Sequence, residues 1–84
     1  MYLVSLAIAP TGSARLRALT AAQAVEFFRR DIGIDDQLEH VSARAGPDRV
    51  HLGFFVRTPE GNAREFCLRV LAKHPELAGW HLIE

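Results

Sequence analysis

Arg49-Val50-His51-Leu52-Gly53-Phe54-Phe55-Val56-Arg57 alternates two kinds of side chain. Val50, Leu52, Phe54 and Val56 fall on one side; Arg49, His51, Gly53, Phe55 and Arg57 fall on the other. A period of two marks a β-strand, because successive side chains leave opposite faces of the pleat. The first set is apolar enough to be a core face. The second mixes an aromatic ring, an imidazole and guanidinium groups, a combination that neither a core nor an ordinary solvated face requires. The stretch predicts the central strand of a small sheet with one face packed and the other in need of explanation.

Working outward, Ala45-Gly46-Pro47-Asp48 has the composition of a turn, and Leu38 to Ala45 before it alternates Val41, Ala43 and Ala45 with His40, Ser42 and Arg44. We expect a hairpin with Arg44 opposite Arg49, Ser42 opposite His51, His40 opposite Gly53 and Leu38 opposite Phe55. That register keeps both core faces on one side of the sheet. Further back, Thr20 and Gln23 have the spacing of a capping box, and Ala21, Val25, Phe28 and Ile32 recur on one helical face. This predicts a helix over about Ala21 to Ile32, stopped by Gly33. At the start of the chain, Tyr2, Val4, Leu6 and Ile8 alternate with Leu3, Ser5, Ala7 and Ala9, which predicts a strand ended by Pro10 and Gly12.

On the other side, Thr58 and Pro59 suit the cap and first position of a second helix. Its buried stripe is expected to hold Ala63, Phe66, Cys67, Val70 and Leu71, with Pro75 ending it. His74, at that end, suits the helix dipole as a cation. Leu77 to Gly79 reads as a connection and Trp80 to Ile83 as a last strand. The order strand, helix, strand, strand, helix, strand predicts an α+β fold: a single ferredoxin-like domain over residues 1–84, a βαββαβ plait with a four-stranded antiparallel sheet and two helices on one face. The first and third strands are expected at the centre and the second and fourth at the edges. The expected core is Tyr2, Val4, Leu6, Ile8, Val25, Phe28, Val50, Leu52, Phe54, Val56, Phe66, Val70 and Leu82.

The chain has 84 residues, half of them hydrophobic, with ten acidic and ten basic side chains. That is a globular balance with room for one small core. Neutrality argues against nucleic acid as the partner, since a binder of phosphates ordinarily carries a basic excess. Cys67 is the single cysteine. It permits no internal disulfide, which predicts a reducing, cytoplasmic setting, and it reads as a small core residue with no local base to activate it. The apolar stretch Tyr2 to Ala9 is too short to span a bilayer, so no membrane association is expected.

The face away from the helices is expected to display Leu3, Ser5, His40, Ser42, Arg44, His51, Phe55, Arg57 and His81. This set is less polar than water alone would favour, and it predicts a contact surface for a second copy, another protein or a peptide. The aromatic on that face resembles the base-stacking sheet of the RNA-recognition motif. Met1-Tyr2-Leu3-Val4-Ser5-Leu6 is similar to its first motif and Leu52-Gly53-Phe54-Phe55-Val56-Arg57 to its second. Three departures stand against it: the basic-glycine opening is absent, Thr58 takes the place of the last aromatic, and Tyr2 falls on the core face. His40, His51 and His81 have no metal-ligand spacing, so neither metal nor cofactor is expected. Ser13, Arg15 and Arg17 are candidates for an anion site beside the first helix. Acylphosphatases place a catalytic Arg at this corner of the same fold, but their loop signature has no counterpart in Pro10-Thr11-Gly12-Ser13-Ala14-Arg15. The sequence therefore predicts a small non-enzymatic interaction module, homodimeric, using its open sheet face or an edge strand. A regulatory small-ligand-binding or RNA-binding module is the alternative.

Overall fold

The computed structural model describes residues 2–11, 19–33, 37–58 and 62–83. They form β1 (Tyr2–Pro10), α1 (Ala21–Arg30), β2 (Leu38–Ala45), β3 (Val50–Val56), α2 (Ala63–Lys73), a 3-10 turn (Pro75–Leu77) and β4 (Trp80–Ile83). The strands make one antiparallel sheet in the order β2-β3-β1-β4, with β1 and β3 central as expected. Phe28 of α1 and Phe66 of α2 both meet the Phe54 ring of β3, at centroid separations of 5.6 and 6.0 Å and with their edges turned to it. This aromatic trio ties the two helices to one face of the sheet, in geometry that favours ring quadrupoles as well as apolar burial.

The core side of β3 is closed along its length: Val50, Leu52, Phe54 and Val56 are all buried, together with Ile8, Ala24, Ala63, Cys67 and Val70. Val4, Leu6, Val25 and Leu82 pack against this core but keep part of their surface. Tyr2 was expected inside and is 49% exposed; it stands at the end of β1, opposite Val56, the last residue of β3. Leu77, expected in a plain connection, is instead fully buried by the 3-10 turn. Gly79 follows at φ +91°, a conformation that costs glycine no Cβ clash, and turns the chain into β4.

The hairpin register differs from the expected one by two residues. Arg44 lies opposite His51, Ser42 opposite Gly53 and His40 opposite Phe55. The turn is closed by the Gly46 N–H donating to the Arg49 carbonyl at 2.7 Å, so Arg49 belongs to the loop. A shift of two preserves the face of every side chain, which is why alternation alone does not detect it. Beyond His40 a bulge intervenes, and Leu38 pairs with Val56 instead of facing Phe55. Leu38 and Val41 are three apart, an odd spacing; the extra residue, Glu39, lets both reach the core.

The Thr20–Gln23 capping box is present, with Thr20 Oγ1 accepting from the Gln23 amide at 3.1 Å and the Thr20 amide donating to Gln23 Oε1 at 3.0 Å. α1 stops at Arg30 with Asp31 as its cap, earlier than the Gly33 stop expected. α2 starts after Asn62, not at Thr58. Pro59, Glu60 and Gly61 lie outside the described residues, as do Ser13, Arg15 and Arg17 of the expected anion site.

Candidate functional site

On the face away from the helices, the register sorts side chains into rows that cross the strands. His40, Phe55 and Leu3 form one row; Ser42, Gly53 and Ser5 the next; Arg44, His51, Ala7 and Ile83 the third. The middle row is low because its three residues are small. Between the bulky rows, roughly 13 Å apart along β3, lies an open groove of about 320 Å³ lined by Leu3, Ser5, Ser42, Arg44, His51, Gly53 and Phe55 among others. A Cβ on Gly53 would come within 2.9 Å of Ser42 Oγ and 3.3 Å of Leu3 Cδ1, so glycine here lets its two neighbours lean over the strand.

The groove has unlike walls. On one side His40 packs on Phe55 with ring centroids 5.6 Å apart, and Leu3 beside them is 58% exposed. On the other side stand Arg44, with no ion pair among the described residues, and His51. Asp48 is the carboxylate whose charge reaches His51. It is already engaged: Arg49 Nε and Nη2 bond its two oxygens at 3.2 and 3.3 Å, and these bonds, then the Arg49 charge, hold its carboxyl below the usual range. Ser5 and Ser42 supply hydroxyls on the floor.

The other residues expected on this face sit at its rim. Arg57 lies just past β3; its amide donates to the Gln37 carbonyl at 2.8 Å and its Nε is 3.4 Å from Glu39 Oε1, so guanidinium and carboxylate offset each other. His81 pairs with Ala9, and its Nδ1 is 3.3 Å from Thr11 Oγ1, two rows from the groove floor. No three His, Cys, Asp or Glu side chains gather into a metal-binding group among the described residues. The position of β1 facing Phe55 holds the aliphatic Leu3, while Tyr2 pairs with Val56 on the alternate side.

A second polar cluster joins the C-terminal ends of the helices. Asp31 and His74 are only 9% and 13% exposed, with His74 Nε2 2.7 Å from Asp31 Oδ2; Lys73 Nζ is 3.4 Å from Oδ1. Burial alone would raise the Asp31 pKa, but the bonds from His74 and Lys73 and their charges outweigh it and hold the carboxyl below its ordinary value. The ionised carboxylate can only accept, so the His74 Nε2–H is the donor. Phe27 covers the imidazole at a centroid distance of 5.2 Å. His74 thus does more than face the dipole. The sequence signal for this pair is thin, since its members are 43 positions apart. Gly53 was the more legible omission: a glycine inside an otherwise bulky strand marks a close approach or an opening.

No helix among the described residues is long and apolar enough to cross a membrane. No family model matches the chain, and no curated protein or solved structure does either.

Proposed function

We propose that the chain is a ferredoxin-like plait acting as a non-enzymatic interaction module, homodimeric through the sheet face that its helices leave open. The plait is supported by the βαββαβ element order and by the strand order, which counted from the β4 edge runs 4-1-3-2, the arrangement of two interleaved split β-α-β units. The observation that carries the functional reading is Leu3. It faces the open side beside Phe55, on the part of β1 that β4 does not flank, and more than half of its surface is open. Covering the exposed part of such a leucine gains roughly 1–2 kcal/mol, and a second copy brings its own Leu3 and Phe55 to the same surface by symmetry.

Light scattering across a hundredfold concentration range tests this. The expected result is a mass that moves from one chain to two, and a Phe55→Asp variant that remains one chain throughout. A wild-type mass of one chain at every concentration defeats the dimer. The groove favours a second reading, a small-ligand-binding module, because its polar and apolar groups converge on one volume. The base-stacking alternative has less support, since Leu3 stands where a second ring would be needed.

A further inference from the structure

From the unlike walls of the groove we infer that it is a binding site for a small aromatic anion, a planar ring joined to a carboxylate. The inference concerns the groove alone and does not rest on dimerisation. Three features converge. The volume, about 320 Å³, lies at the small end of ligand sites and suits a ring with a short acidic arm better than a protruding segment of a folded partner. One wall is Phe55 backed by His40 and flanked by Leu3, a surface on which a flat unsaturated ring stacks.

The opposite wall carries the Arg44 guanidinium, which has no ion pair among the described residues, beside the imidazole of His51. The strand positions that face this way carry Arg44, His40, His51 and His81 and no carboxylate among the described residues, although the whole chain is neutral. The nearest acidic residues are engaged or lie elsewhere: Asp48 is bonded to Arg49 in the turn, Glu39 stands at the rim against Arg57, Glu26 and Glu65 are on the helices, and Asp31 is at a helix end. A guanidinium is shaped to take both oxygens of a carboxylate, and Arg44 is available for it. The hydroxyls of Ser5 and Ser42, on either side of Gly53, lie between ring and acid and orient the ligand along the groove.

The ring-plus-charge requirement is tested by titrating the ¹⁵N-labelled protein with 2-naphthoate, with 2-naphthamide and acetate as partial ligands. The expected result is saturable shifts at the amides of Ser5, Ser42, His51 and Gly53, with 2-naphthamide weaker by roughly tenfold and acetate without effect. Arg44→Ala, an exposed edge-strand change, should weaken 2-naphthoate by a similar factor, and Phe55→Ala should weaken both naphthyl compounds together. Shifts centred elsewhere, equal binding of acid and amide, or an Arg44→Ala variant with unchanged affinity would overturn the assignment. Light scattering on the same samples separates the two proposals. A monomer that binds 2-naphthoate leaves the groove assignment standing without the dimer, and a dimer that the ligand neither enters nor dissociates defeats the groove.

Discussion

Cys67 lies in the stripe that α2 turns to the sheet and has no exposed surface. Burial pushes its thiol up to about 12, with the charge of Arg64 opposing that rise. Because only the thiolate is a nucleophile, the native side chain is neutral and inert over the physiological range. Labelling by a disulfide reagent at pH 8 is expected to follow the opening of the fold, slow in buffer and rapid in denaturant. Immediate stoichiometric labelling of the folded protein would place the sulfur at the surface. At this scale the sequence was most readable where a side chain has one demand. Phe54, Phe66 and Val70 declare the core by being apolar at the right period, and they are there. Tyr2 has the right period too, but it lies at a strand end that β4, which flanks only Ala7 to Pro10, does not reach.

At the scale of elements, the C-terminal ends of the two helices are tied by a polar contact. Asp31 caps α1, His74 caps α2, and the bond between them closes the helical layer. A carboxyl whose folded pKa is depressed contributes stability above its unfolded value, near 4, and that contribution disappears as pH falls through the folded value. Asp31→Asn keeps an acceptor for His74 but removes the charge. It is expected to lower unfolding free energy by roughly 1–2 kcal/mol at pH 7, with the gap from wild type closing below about pH 4. Urea titrations at several pH values read this, and a gap constant from pH 7 to 3 would show that the charge is not what matters.

Element identity was legible because strand and helix periods are local. Two features were not. The hairpin register is set by which residues the turn absorbs, and Arg49 can be assigned to turn or strand without changing any face. The bulge at Glu39 answers a tertiary demand, burial of both Leu38 and Val41, that alternation cannot express. The groove depends on this register, since only the observed pairing sets Ser42, Gly53 and Ser5 in one line.

For the whole molecule, the sheet is unequal across its width. β3 is paired on both sides along its length and β1 at Ala7 and Ile8, whereas β4 has only four residues and pairs on one. Native-state hydrogen exchange is expected to be slowest along β3 and the doubly paired part of β1, such as Phe54 and Ile8, and faster by an order of magnitude or more along β4. Equal protection in β4 would mean that the fold opens as a single unit. The two faces are unequal as well: one holds nearly all the buried apolar side chains and the other a cation-bearing groove.

The bulge carries one more consequence. β2 is the longer outer strand, and its unpaired amides and carbonyls are a template on which a foreign strand could grow. Glu39, displaced from the ladder and paired with Arg57, interrupts that template between Leu38 and His40. The uninterrupted part of this margin is thereby His40 to Ala45. The same inserted residue that completes the interior also shortens the outer ladder open to a foreign strand.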